Sequence, residues 1–424
     1  MQRWNANGTA SGSYAGRASL FFLLLLFNAF MLTKLPIRDV AIVTVSLTHF
    51  LMLFILGYLF ARKMVFLRSF KLFYLGMLLF TVFNALLFIS NPIDQDGTML
   101  IHILLVLSFA LGAAHIAWND AQLNRFACIS AGLTLIFLIH WLFAGTPLTG
   151  FQGLIRNPNI TGVLLSILLF FPLVRFNRVR PAWRIFLGIS IASALILIYV
   201  SSARAAMLLI LVMLAARIVL SLFKPLFSKL FYAVMGFNAI FLLVFGMTSH
   251  VSLFEKLNAW SIDAFGKRLL SGRQDIWEQG IQYGLEKPFF GHGLGIDPND
   301  FMDGTQYVHA HNQYLQIFLE NGLVGLAFFI LLLFGIWKVL LKRLNLTVVR
   351  WTACFFLGLL VYQSVEISFF SNMPSIGLLQ WFIIGVGLSA VLYHSPEWGQ
   401  SANPDEANQN NTQTRTRSRQ HRSR

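Results

Sequence analysis

Three basic side chains, set at polar breaks in an otherwise apolar chain, are of the types that diphosphate binding and proton transfer require. Arg273 stands in Ser271-Gly272-Arg273-Gln274-Asp275-Ile276-Trp277, His311 in His309-Ala310-His311-Asn312-Gln313-Tyr314-Leu315, and Arg204 in Ser201-Ser202-Ala203-Arg204. A guanidinium can grip a diphosphate through paired N–H···O bonds and stabilise it as it leaves. A neutral imidazole can take the proton of an incoming hydroxyl, a step worth ~10²–10⁴ in rate. Together they suit transfer from a diphosphate-linked donor to a hydroxyl, with guanidinium rather than a metal supplying the positive charge.

Local patterns say how each would be held. Ser271 followed three residues later by Gln274 reads as a capping box, and Ile276, Trp277, Ile281 and Leu285 form an apolar stripe at helical spacing. Arg273 then falls in a first turn, where the helix dipole disfavours a cation, which points to a ligand; the alternative is surface pairing with Asp275 or Glu278. His311 precedes an apolar run with Asn312 as its N-cap, and the positive end of that helix keeps the ring neutral. The alternative is an interfacial histidine without a role. His309 points elsewhere if the helix has already begun. Arg204 has small neighbours that leave room for a phosphate, or else it snorkels to headgroups. Arg156, in Arg156-Asn157-Pro158-Asn159, has a similar outer position as a further diphosphate contact, beside a proline that breaks any helix there. The glycines of Gly291-His292-Gly293-Leu294-Gly295 permit tight turns. His292 is a ligand contact or a solvated turn residue. A competing pair, Asp94 and Asp96, could hold a divalent metal or form a solvated turn.

The elements that position these residues cross a membrane. The chain has 424 residues, 57% of them hydrophobic and 12% charged, which excludes a soluble domain. Runs long enough to span a bilayer occupy 20–35, 40–60, 72–89, 99–118, 126–143, 160–176, 185–200, 206–223, 230–247, 314–339, 351–370 and 376–393. The expected fold is an all-α polytopic membrane protein of about twelve transmembrane helices. The first run lacks a small-x-small cleavage site before Lys34-Leu35-Pro36 and reads as a retained anchor. Basic residues concentrate after every second run, as in Arg62, Lys63, Arg68 and Lys71, so both termini are expected in the cytoplasm. The long polar segment between the ninth and tenth runs is then periplasmic.

Four parts follow: helices in 1–248, a loop with short helices in 249–310, helices in 311–394 and a disordered basic tail in 395–424. The positive-inside bias and the tail account for the net charge of +15, so no nucleic-acid partner is expected, whereas the tail could touch anionic lipid. Cys128 and Cys354, inside apolar runs, read as buried single thiols.

Ser271-Gly272-Arg273-x-x-Ile276-Trp277, the Gly291-x-Gly293-x-Gly295 turn, and His311-Asn312-x-Tyr314-Leu315 followed by Glu320-Asn321-Gly322-Leu323-Val324-Gly325 resemble the O-antigen ligase and polymerase superfamily. Asn157-Pro158-Asn159-x-x-Gly162 and Ser201-Ser202-x-Arg204 resemble segments upstream in that group. The likeness covers roughly the second half of the chain. It implies a GT-C-like transferase of the bacterial inner membrane that takes a glycan from undecaprenyl diphosphate on the periplasmic face, without nucleotide, metal or other cofactor. In the ligase branch the acceptor is a sugar hydroxyl of lipid A–core. The resemblance gives Arg204 and Arg273 the diphosphate and His311 the base role. It also implies inversion by single displacement, and a lateral opening between helices that admits both lipid-linked substrates. Ligases and polymerases share these motifs; one loop of modest size and about twelve helices fit the ligase. Protein O-oligosaccharyltransferases are usually longer, with added soluble sequence. A lipid-linked glycan transporter would line several helix interiors with charge.

Overall fold

The structure, a computed structural model, describes residues 12–62, 64–90, 97–247, 252–266, 268, 272–302 and 309–395. Asp94, Asp96, Ser271 and the basic tail after residue 395 lie outside the described residues. The first half contains α1 (Gly12–Asn28), α2 (Arg38–Ala61), α3 (Lys71–Ser90), α4 (Gly97–His115), α5 (Asp120–Phe143), α6 (Pro158–Leu168), α7 (Phe170–Arg175) and α8 (Pro181–Val200). The second half contains α9 (Arg204–Leu222), α10 (Lys224–Phe227), α11 (Leu230–Met247), α12 (Ser252–Phe265), α13 (Arg273–Glu286), α14 (Gln313–Leu340), α15 (Thr347–Tyr362) and α16 (Pro374–Tyr393).

Among the described residues, nine helices are long and apolar enough to cross a membrane, and three shorter apolar ones run over Gly16–Leu32, Leu230–Gly246 and Thr347–Tyr362. These twelve correspond to the expected runs. Large apolar side chains such as Val43, Phe54, Phe143 and Ile185 are exposed, as lipid-facing surfaces require. α16 is buried along nearly its whole length and α6–α7 along most of theirs, so they form the centre around which the other helices pack. α14 lies along α3, α15 along α9, and α16 along α4. The contacts are close where small residues allow it: a Cβ on Gly335 would meet Phe73 N at 2.5 Å, and one on Gly385 would meet Ala113 Cβ at 2.5 Å.

Two expectations are corrected. The eleventh run, read as helical over 351–370, stops being helical at Tyr362, and the chain to Met373 is irregular before Pro374 opens α16. Backbone at this depth must satisfy its polar groups internally. Gln363 does much of that: its Nε2 donates to Ser368 Oγ at 2.8 Å, and its Oε1 accepts from Ser368 N at 3.2 Å. The second correction concerns Pro158, which does not break a helix but begins α6 at a position where its missing N–H costs nothing. Asn157 caps that helix by accepting from Asn159 N at 2.9 Å. Gly162 one turn later lets Ala203 approach, since a Cβ there would lie 2.3 Å from Ala203 Cβ. The two upstream motifs thus pack on each other beneath Arg204.

α14 is interrupted at Gly322, whose φ of 63° and ψ of −167° only glycine adopts readily. Into this break fits the turn 288–293: Leu323 N donates to Pro288 O at 2.8 Å and Val324 N to Phe289 O at 3.1 Å. In return His292 N donates to Leu319 O at 2.8 Å and Gly293 N to Glu320 O at 3.0 Å. The glycine-rich turn and the Glu320–Gly325 motif are therefore two halves of one backbone joint that fastens the polar segment to the bundle. A Cβ on Gly322 would lie 2.3 Å from Phe289 C. Gly322→Ala is expected to destabilise the detergent-solubilised protein by about 2–5 kcal/mol from strain plus overpacking. Gly57→Ala, which meets nothing within 4 Å, should not destabilise it. Equal thermal stability of the two variants would contradict the joint.

Candidate functional site

The site gathers at the shared end of α9, α13, α14 and α15. Arg273 is the first residue of α13, preceded by Gly272 with φ of 82°, and no side chain caps the helix. A left-handed glycine thus stands at the N-cap, Ser271 of the expected capping box lies outside the described residues, and Gln274 Nε2 is buried without a partner among the described residues. Ile276 and Trp277 of the expected stripe are buried against Ala310, Leu315 and Leu319, whereas Leu285 is exposed. Trp277 Nε1 also donates to Ala310 O at 2.8 Å, which pins the turn before α14.

Neither Asp275 nor Glu278 pairs with Arg273. Its Nη2 lies 2.6 Å from Glu366 Oε1, with side chains 13% and 7% exposed, and its Nη1 donates to Val365 O. The other oxygen of the same carboxylate, Glu366 Oε2, is 3.3 Å from His311 Nδ1. Glu366 is the residue that sequence reasoning missed. It lay hidden inside a run read as the end of a helix; its signal was a lone carboxylate in so apolar a setting, followed by Ser368, Ser371 and Asn372. Burial pushes its carboxyl up, but the Arg273 guanidinium and the hydrogen bond and charge of His311 together outweigh burial and hold it down to about 2. It is therefore an anion at neutral pH.

His311 has φ of 50°, a left-handed conformation that is costly for a non-glycine residue, and α14 begins two residues later with Asn312 as N-cap. Asn312 Oδ1 accepts from Tyr314 N and Leu315 N, both at 3.0 Å, while its Nδ2 donates to Ser364 O at 2.8 Å. Asn312 thus joins the start of α14 to the segment that carries Glu366. Because the chain turns at His311, His309 does not point elsewhere as expected: the two rings are 4.2 Å apart at 63°. His309 is buried, and burial followed by the charge of His311 lowers it to about 4, so it is neutral at pH 7. A neutral His311 that donates from Nδ1 to Glu366 carries its lone pair on Nε2.

Arg204 opens α9 after Ser202, another left-handed residue with φ of 55°. Its Nη1 donates to Ser261 Oγ at 2.9 Å and to Arg268 O at 2.8 Å, so α12 and the chain after it hold the guanidinium in place. The charges of Arg204 and Arg273 act on one another. Two guanidinium groups whose charges act on one another suit an anion between them. The non-glycine left-handed residues among those described are Thr146, Ser202, His311 and Asn372. Two of the four flank or form this site, and Asn372 is on the segment that supplies Glu366.

The remaining candidates have partners of their own. Arg156 Nε donates to Thr33 O at 2.8 Å and tethers its loop to the end of the first apolar helix. His292 stacks on Tyr283 at 3.8 Å and bonds Tyr283 O at 2.7 Å through Nε2, a structural role. No group of three His, Cys, Asp or Glu side chains suited to a metal occurs among the described residues. An apolar groove of about 780 Å³ runs between α11, α13 and α14, with Asn238, Ile281, Tyr314, Leu315 and Phe334 in its walls. It starts three residues from His311 and follows α14 into the membrane.

Residues 189–330 match the family model described as O-antigen ligase. Over that stretch the chain is similar to the O-antigen ligase family. The match takes in Arg204, Arg273, His292, His309, His311 and the Glu320–Gly325 motif, and leaves Arg156 and Glu366 outside it. No curated protein matches the chain. The matched stretch supplies Arg204, Arg273 and His311, while Glu366, which bonds Arg273 and His311, comes from beyond it.

Glu366 has a depressed pKa, so its stabilising contribution is present above the ordinary carboxyl value of 4.5 and is lost as pH falls through about 2. Glu366→Gln leaves the buried Arg273 without a counterion and is expected to destabilise the protein by about 3 kcal/mol at neutral pH. The variant should also show a shallower loss of stability than the parent between pH 4.5 and 2. Matching denaturation curves for parent and variant across that range would rule the buried pair out.

Proposed function

We propose that this protein belongs to the O-antigen ligase and polymerase superfamily and is an O-antigen ligase, which transfers a glycan from undecaprenyl diphosphate to a sugar hydroxyl of lipid A–core on the periplasmic face of the inner membrane. The observation that carries the reading is the anchoring of Arg204, Arg273 and His311 at one end of the bundle, Arg204 by Ser261 and the other two by the single carboxylate of Glu366. Guanidinium groups held in this way are preorganised for charge that develops on a departing diphosphate. The apolar groove along α14 supports the same reading, since its walls suit an isoprenoid chain whose diphosphate would sit at the membrane edge.

In this mechanism Glu366 accepts from Nδ1 of His311, and Nε2 removes the proton of the acceptor hydroxyl. The hydroxyl oxygen attacks the anomeric carbon from the face opposite the diphosphate. The bond from that carbon to the diphosphate oxygen breaks, and the configuration inverts. Arg204 and Arg273 hold the leaving undecaprenyl diphosphate while its charge grows. Glu366 is a positioning residue here, because it acts through His311 and Arg273.

A strain that lacks the protein should accumulate lipid-linked polymer and leave the lipopolysaccharide core uncapped; core that bears a single repeat would instead show a polymerase. In a reconstituted assay, His311→Ala should lower transfer by ~10²–10⁴ and Arg273→Ala by ~10²–10³, with membrane insertion intact. Parent-like transfer by either variant would sink the site assignment. Transfer should also survive EDTA. Loss in EDTA, restored by a divalent cation, would return the chemistry to a metal and to Asp94 and Asp96.

A further inference from the structure

At the opposite end of the same helices lies a second collection of arginines that the transfer mechanism does not use. Arg217 is thirteen residues along α9 from Arg204, and Arg350 is near the start of α15 while Glu366 follows its end. At about 1.5 Å per residue these positions are roughly 20 Å from the transfer site along the helix axes. Arg217 and Arg350 join Arg178 around a cavity of about 700 Å³, and no Asp or Glu is among the residues that line it.

The three cations are unbalanced. The nearby Arg175 is neutralised by Asp120 at 2.7 Å, but none of Arg178, Arg217 and Arg350 is salt-bridged among the described residues. Arg178 and Arg350 both donate to one hydroxyl, Thr347 Oγ1, at 3.0 and 3.3 Å, so two like charges converge on a single neutral acceptor. Arg350 Nε is buried with no hydrogen-bond partner. A buried charged donor left unpaired is costly, and an anionic oxygen in the cavity would relieve it.

Apart from Asn177 and Thr347, the rest of the wall is apolar. Leu173, Ile191, Ala192 and Leu195 line the cavity, and Leu195 is itself on a lipid-facing surface. Such walls reject a small hydrated anion and suit an acyl chain. Trp351 lies beneath the Arg217 guanidinium at 5.8 Å, the kind of aromatic that marks the level of headgroups. We infer that this cavity is a binding site for an anionic phospholipid, with the phosphodiester between Arg178, Arg217 and Arg350 and an acyl chain along α8. Basic pockets between transmembrane helices recognise such headgroups. The site lies on the face away from His311 and does not depend on the assignment of the transfer reaction.

The test uses the full-length protein in nanodiscs, with bound lipid counted by native mass spectrometry. From mixtures of phosphatidylglycerol and phosphatidylcholine, the parent protein should retain one phosphatidylglycerol molecule preferentially. Arg217→Gln and Arg350→Gln should each weaken that retention on the order of fivefold. Arg217→Lys and Arg350→Lys, which keep the charge, should retain most of it. Equal retention of the two lipids by the parent protein would overturn the proposal without recourse to any variant, as would undiminished preference in the glutamine variants. Displacement of the retained lipid by equimolar inorganic phosphate would also overturn it, since the site would then recognise a soluble anion rather than a lipid.

Discussion

The end of the bundle that holds the site depends on one buried ionic contact, the 2.6 Å pair between Arg273 and Glu366. Two charges withdrawn from water are costly unless each meets its partner in good geometry with its remaining valences satisfied. Here the guanidinium also bonds a backbone carbonyl, and the second carboxylate oxygen faces His311. The pair therefore constrains three segments far apart in sequence: the start of α13, the turn before α14 and the irregular chain after α15. None of these positions could move independently without exposing or orphaning a charge. That is how an external polar segment comes to form a fixed corner with the membrane helices.

Two further devices reinforce that corner. The first is the backbone joint at Gly322, where an interrupted transmembrane helix lends its N–H and C=O groups to the turn at 288–293. The second is left-handed backbone at Ser202 and His311, which turns the chain sharply at the two points where Arg204 and the histidine pair are presented. Conformations of this kind cost about 1–3 kcal/mol each and persist only where surrounding contacts over-determine them. The caps, the Trp277 bond to Ala310 and the Asn312 bond to Ser364 supply such contacts.

Much of this was legible in the sequence because membrane helices are written as apolar length, a signal that survives without any knowledge of tertiary contacts. All twelve runs appear near their expected places, and Asn312 as N-cap followed from local chemistry alone. What stayed illegible was set by contacts between distant segments. Gln363 to Met373 looked like the end of a helix because Val365, Ile367, Phe369 and Phe370 keep it apolar on average. Only the side-chain bonds of Gln363 and Ser368 show that the helix has stopped. Glu366 was hidden with it. The same reason explains why the pairing of Arg273 with Glu366 does not show in its local sequence, why His309 was turned away from His311, and why the glycine-rich turn was not linked to Gly322. The arginines around the second cavity follow different apolar runs in the sequence, and their convergence exists only once α9 and α15 are packed together.

Glu366 acts on transfer through His311 and Arg273, and a mutant cycle on the transfer rate measures this directly. Glu366→Gln, the paired variant His311→Ala with Arg273→Ala, and the triple variant should be compared in one reconstituted assay. If the carboxylate works only by holding those two side chains, the triple variant should be little slower than the paired one. Losses that multiply, so that removing Glu366 costs as much without His311 and Arg273 as with them, would contradict the account.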